Sequence, residues 1–456
     1  MTTRNTSFFR ELLTSIAEQG RQFLDPRRNR ESGETPVVDL CEALLSGRGE
    51  ASGVALAGDV LAGYRMLARA GRAAFFTALL TRFGADIAEV SEVADALRID
   101  PGNLTLLRRL HDVSEPRRQE LIRRLNLAPG GTRALVDMRA DLLDHLAEHP
   151  DLREVDRDFE HLFSSWFNRG FLVMQRIDWS TPAAILEKII RYEAVHEIRD
   201  WDDLRRRIDV QDRRLYAFFH PALVDDPLIF VQVALTRDMP AAIAPILAEQ
   251  RDQLRVDEAA TAVFYSITNC QKGLRGISFG NFLIKQVVEE LRRALPGLKT
   301  FVTLSPVPGF ARWLEGQLAS DDSPAAGMLS QEARALLAAP SWPEHADASL
   351  REPLTALGAH YLLREKDGRG RPIDPVARFH IGNGARLERV NWRGDLSPNG
   401  LAQAHGLMVN YLYDLKYIEK NHEAFAATGA VAASSQVTKL ARAIPETRQP
   451  VPMDTK

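Results

Sequence analysis

Through the first 160 residues, apolar side chains recur at three- and four-residue steps. Leu135, Met138, Leu142 and Leu146 form one such stripe within Thr132–His149, and Arg117–Leu127 carries another. Gly53–Phe83 is dense in Ala, Leu and Arg. Pro101-Gly102, Pro129-Gly130-Gly131 and Pro150 punctuate the pattern as helix breakers. After Trp166 the texture changes. Tyr216–Phe219, Pro227–Leu235 and Ala259–Ile267 are short apolar runs rich in Val, Ile and Phe, which predicts buried strands. Gly280–Leu295 returns to helical spacing, with Leu283, Val287 and Leu291 on one stripe and Ile284 and Val288 beside it. Lys299–Leu304 predicts a strand again. Residues 320–350 predict a helix with loops, and Glu365–Pro375 a polar surface turn. Val376–Ile381 predicts a strand, Asn383-Gly384 a hairpin, and Leu387–Trp392 the returning strand. The expected class is α+β: an all-α helical bundle over 1–160, then an α/β domain over 161–456.

Composition narrows the function. The chain has 456 residues, 45% hydrophobic and 26% charged, with a net charge of −3. A sequence pI of about 6.4 gives no reason to expect nucleic acid or membrane as a partner. Two cysteines, Cys41 and Cys270, make no disulfide framework and fit a reducing compartment. No apolar run is long enough to span a bilayer. The N-terminal stretch has no secretory core, and Glu11 and Glu18 weaken a transit-peptide reading. The cytoplasm is the expected compartment.

Between the 259–267 strand and the following helix lies TNCQKGLRGISFGN. Gly273, Gly276 and Gly280 free the backbone to approach a ligand, and the helix N-terminus behind them favours an anion. Lys272 and Arg275 add positive charge. The segment is neither a Walker loop nor GxGxxG. Its order is similar to the acetyl-CoA cradle of GNAT-type N-acetyltransferases, with Gln271 and Gly276 in place and Leu274 standing where that pattern has its first glycine.

Ser305 ends a predicted strand and runs into Pro306, Val307, Pro308 and Gly309. Pro306 restricts the serine to extended angles, so its hydroxyl is held at a strand end, where α/β folds place ligands. No Gly-x-Ser-x-Gly elbow surrounds it, which disfavours an α/β-hydrolase. His380 is a second candidate, with His220 and His405 as rivals. The eleven histidines show no HExxH and no Cys/His zinc spacing, so no metal is expected.

LSPVPGF (304–310), QKGLRGISFGNFLIK (271–285) and FHIGNGARLERVNW (379–392) together resemble the malonyl-CoA decarboxylase family, as do DPLIFVQVALT (226–236) and GLMVNYLYDL (406–415). The resemblance covers most of residues 160–425. It implies a helical domain used in homo-oligomerisation, as a dimer or tetramer, followed by a GNAT-like (acyl-CoA N-acyltransferase-like) catalytic domain. It implies Ser305 and His380 as catalytic residues. It places the CoA-phosphate loop on Gln271, Gly273, Arg275, Gly276, Ile277, Ser278, Phe279, Gly280 and Asn281. Malonyl-CoA and acetyl-CoA are then substrate and product, and no cofactor is needed. Asn383 is an expected neighbour able to fix the tautomer of His380. An N-acetyltransferase, an acyl-transferring serine enzyme and a non-catalytic CoA-binding protein are the alternatives.

Overall fold

The computed structural model describes residues 12, 14–20, 36–47, 49–277, 283–320, 323–339, 342–345 and 348–444. Its contacts divide the chain into two compact units. The first gathers Met1–Met174, Phe218–Ile229 and Asn269–Gly280, and the second Gln175–Ala217, Phe230–Thr268 and Asn281–Lys456.

The first unit is helical. Its described helices include Glu50–Met66, Arg69–Arg82, Ile87–Ile99, Leu104–Ser114, Arg117–Asn126, Gly131–His145 and Arg153–Trp166. Two of these starts follow from side-chain capping: Asp86 accepts from Ala88 N and Glu89 N, and Asn103 from Thr105 N and Leu106 N. The predicted stripe is buried at Leu135, Met138 and Leu142, packed in a core with Phe76, Phe83, Phe159 and Phe163. Arg118 and Asp158 form a buried ion pair at 2.5 Å within it. The hairpin of Ile87–Ile99 and Leu104–Ser114 is different. Ile87, Ile99, Leu104 and Leu107 are 71%, 85%, 73% and 53% exposed, and Leu104–Ser114 buries no residue at all.

The second unit is built on a mixed sheet. The strands, most of whose residues fall in this unit, are β1 (Val173–Ile177), β2 (Arg213–Phe219), β3 (Pro227–Thr236), β4 (Thr261–Asn269), β5 (Thr300–Thr303), β6 (Ser305–Pro306), β7 (Arg386–Asn391) and β8 (Met408–Leu412). The order is β1-β2-β3-β4-β5-β8-β6, with β7 also pairing β8. β4 and β5 are parallel, with Thr261 opposite Thr300, and the helix Leu283–Ala294 crosses between them. β8 runs antiparallel to β5, β6 and β7. The helical first region and the mixed α/β sheet that follows it are the expected class.

One expected element is corrected. Val376–Ile381 is not a strand; the helix Pro375–Gly382 occupies it. Asp374 caps that helix by accepting from Ala377 N at 2.8 Å, and Pro375 stands at its first position, where its missing N–H costs nothing. Asn383-Gly384 is then the exit of this helix, with Gly384 at φ +83°, and makes no hairpin. β7 does follow as the expected strand.

Candidate active site

Ser305 comes from β6, which pairs with β8 so that Ser305 lies opposite Val409. Thr303 and Ser305 are two apart in extended chain, and so are Tyr411 and Tyr413, so each pair shares a face. His380 comes from the last turn of the helix Pro375–Gly382. Ser305 and His380 are 5% and 3% exposed.

These side chains meet in one line of contacts. The Ser305 hydroxyl donates to Thr303 Oγ1 at 2.8 Å, and its Oγ lies 3.1 Å from His380 Nε2. On the other side of the ring, Nδ1 lies 2.8 Å from the Tyr413 hydroxyl. Tyr411 stacks on the imidazole with centroids 4.7 Å apart, and its backbone N–H donates to Thr303 Oγ1 at 3.2 Å.

Burial decides the protonation states. It pushes the His380 imidazole down to about 3, because no acid stands close enough to compensate the loss of water. It pushes the Tyr413 phenol well above its ordinary range. Tyr413 therefore keeps its hydrogen, and Nδ1 is the acceptor at hand. The His380 proton then sits on Nε2, directed at Ser305 Oγ, while Ser305 points its own hydrogen at Thr303. The arrangement is an oriented row of donors ending in a neutral imidazole and a hydroxyl.

The helix bearing His380 is tied down at its start. The Asp374 carboxylate, fully buried, accepts from the N–H of Ala377 at 2.8 Å through Oδ1. Burial raises it to about 6 despite the pull of nearby backbone N–H groups.

The His380 ring nitrogens bond Ser305 and Tyr413, and Asn383 bonds neither of them. Its amide donates to Phe379 O at 2.7 Å as the helix ends, and Tyr413 holds the position next to Nδ1 instead. Of the rival histidines, His220 bonds Trp166 O at 3.1 Å through Nε2 and accepts from Ala222 N through Nδ1. His405 is the left-handed residue that ends the helix Pro398–Ala404.

In the first unit, residues 271–277 form a tight loop built on a 3-10 turn, Lys272–Leu274. Gln271 is buried and donates to Pro227 O at 3.0 Å. Gly273 is a packing glycine: a Cβ there would stand 1.8 Å from Val136 O. Gly276 has φ +84°, which favours glycine outright. Lys272 pairs with Asp144. The Arg275 side chain is exposed and Ile277 is buried. The organiser of the loop is Arg139, 1% exposed. Its guanidinium donates to the carbonyls of Gly273 and Arg275, each at 2.8 Å, and pairs with Asp156 and Glu160. Ser278, Phe279, Gly280 and Asn281 lie outside the described residues.

Tyr413, Thr303, Asp374 and Arg139 were not singled out from sequence. Period-two spacing in VNYLYD could have flagged Tyr413, and Asp374-Pro375 is a readable helix start. Nothing local marks Arg139.

Comparison with known proteins covers both halves of the chain. A family model described as the malonyl-CoA decarboxylase C-terminal domain matches residues 170–451, and one described as the N-terminal domain matches 83–167. The protein named mitochondrial malonyl-CoA decarboxylase of Anser anser anser is 38% identical over 408 residues, 82% of this chain and 81% of that one. Its counterpart in Rattus norvegicus is 36% identical over 416 residues, 84% of each chain. The crystal structure of malonyl-CoA decarboxylase from Rhodopseudomonas palustris is 58% identical, with a TM-score of 0.85, covering 88% of this chain and 98% of that chain. That from Cupriavidus metallidurans is 37% identical, with a TM-score of 0.71, covering 91% and 100%. The chain belongs to the malonyl-CoA decarboxylase family.

Proposed function

We propose that this protein converts malonyl-CoA to acetyl-CoA and CO2, with His380 as the proton donor and Ser305 as its transfer partner. The observation that carries the reading is the row Tyr413–His380–Ser305, closed by hydrogen-bond distances at both ring nitrogens, in a chain of this family.

In the reaction the bond between the carboxylate and the α-carbon breaks. Its electron pair moves into the thioester carbonyl, leaving CO2 and the enolate of acetyl-CoA. The thioester is the electron sink, so no cofactor enters. The Ser305 hydroxyl turns from Thr303 and gives its hydrogen to the enolate carbon as the Nε2 proton of His380 moves to Oγ. The Tyr413 hydrogen bond to Nδ1 shares the change of charge on the ring, and solvent returns one proton. A neutral imidazole is sufficient, because a thioester enolate carbon is a far stronger base than the deprotonated ring. Positioned proton donors of this kind contribute about 10²–10⁴-fold.

The loop Gln271, Gly273, Arg275, Gly276 and Ile277, with Ser278, Phe279, Gly280 and Asn281, is assigned to the CoA diphosphate. Remote binding of that group offsets the cost of orienting the reacting end. The exposed apolar hairpin at Ile87–Ser114 supports self-association of the helical unit as a dimer or tetramer. No described helix is long and apolar enough to cross a membrane. Cys41 and Cys270 are buried and form no disulfide, which suits a reducing compartment, and we assign the cytoplasm. The curated relatives carry the word mitochondrial in their names, so cell fractionation is the check on that assignment.

Incubation with malonyl-CoA and no amine tests the reaction. Acetyl-CoA and CO2 in equal amounts are expected. A requirement for an amine acceptor, with no CO2, would make the protein an N-acetyltransferase instead.

A further inference from the structure

Residues 145–149 read HLAEH. His-x-x-Glu-His places two imidazoles four residues apart, with a carboxylate on the same helical face. It is the reverse of the HExxH spacing whose absence led to the expectation of no metal. The helix Gly131–His145 ends here, but its hydrogen bonding continues: His149 N donates to His145 O at 2.8 Å and Glu148 N to the same oxygen at 3.1 Å. The three side chains therefore stay on one face. One ligand atom from each lies within 4.8 Å of the others.

His145 anchors the group. It is 3% exposed, its ring packs on Phe76 with centroids 6.0 Å apart, and its Nδ1 is buried with no hydrogen-bond partner. A buried ring nitrogen without a partner is unusual, and a metal ion satisfies it directly. Glu148 pairs with Arg69 at 2.6 Å, but the two side chains are 60% and 63% exposed. An ion pair so open to water competes weakly with a metal. Tetrahedral zinc holds nitrogen and oxygen ligands at about 2.0–2.2 Å, so its donor atoms stand roughly 3.4 Å apart. Closing that gap calls for rotation of the Glu148 and His149 side chains.

We propose that His145, Glu148 and His149 form a binding site for a zinc-class transition-metal ion in the helical unit, its fourth position filled by water. Two imidazoles and one carboxylate suit zinc and disfavour magnesium or calcium, which take oxygen ligands. The ion staples the end of the helix Gly131–His145 to the turn after it. The same helix carries Arg139, which holds the carbonyls of Gly273 and Arg275. The site therefore braces the helix that shapes the 271–277 loop.

The test is a Zn2+ titration of the full-length protein, stripped of metal by a chelator, against a competing chromophoric chelator. Mg2+ is the control. One Zn2+ per chain is expected, with affinity falling about tenfold or more in His149→Ala and also falling in Glu148→Gln. Decarboxylation by metal-free His149→Ala is expected to match that of metal-free parent protein. Zn2+ should raise the melting temperature of the parent and leave that of His149→Ala unmoved. Equal zinc affinity in parent and His149→Ala, or no zinc binding by the parent, overturns the proposal.

Discussion

The phenol hydroxyl of Tyr413 lies 2.8 Å from Nδ1 of His380, on the side of the ring away from Ser305. That relationship assigns the tautomer and hence the direction of proton transfer. Tyr413→Phe removes the donor and keeps the ring that packs beside it. The expected loss is about tenfold in kcat, the equivalent of one hydrogen bond near 1.4 kcal/mol, with KM for malonyl-CoA unchanged. Steady-state kinetics check this, and a kcat equal to the parent's would remove Tyr413 from the relay.

The second prediction concerns pH. Burial lowers His380 from 6.5 to about 3, so the ring stays neutral across the working range. The kcat profile is expected to show no fall as pH rises through 6.5. A fall centred there would mean that an imidazolium is the working acid. Stability carries the same signature. The unfolded chain protonates His380 near 6.5 and the folded chain only near 3, so its contribution is fully present above 6.5 and is lost as pH falls through that window. Asp374 acts in the opposite sense, raised from 3.8 to about 6: its contribution is present below 3.8 and is lost as pH rises through 6. His380→Asn leaves only the second slope. Urea unfolding at a series of pH values should show the variant gaining stability relative to the parent on acidification.

Much of this was legible in the chain, and the misses share a cause. Leu135, Met138 and Leu142 repeat at helical spacing, and β3 is an unbroken apolar run, so local pattern was enough for both. The segment around His380 misled because Phe379, His380 and Ile381 look like a strand when read alone. The Asp374-Pro375 start, a capping signal, outweighs them. Ser305 and His380 could be named but not joined, since 75 residues separate them. Arg139 reads as one more charge on a solvated helix face. Its burial depends on Gly273 and Arg275, which lie 134 and 136 residues further along.

The third prediction tests the loop. Gly276 holds φ +84°, a conformation that costs a β-branched residue roughly 1–3 kcal/mol. Gly276→Val is expected to raise KM for malonyl-CoA about tenfold with little change in kcat. Equal affinity of parent and variant for CoA in calorimetry would release the loop from its assigned role.

The fourth prediction concerns assembly. Leu104 and Leu107 are 73% and 53% exposed on a helix that buries nothing within its own chain. A second copy of the chain is the proposed cover. The Leu104→Glu, Leu107→Glu double variant should show a smaller particle mass by light scattering, with far-UV circular dichroism unchanged. An unaltered mass would place the contact elsewhere.

The most direct trial of the account is CO2 release from malonyl-CoA by Ser305→Ala and by His380→Asn, with CoA affinity measured on the same preparations. Each variant is expected to bind CoA as the parent does and to release CO2 about 10²–10⁴-fold more slowly. Release near the parent rate by either variant, with CoA binding intact, would contradict the central claim.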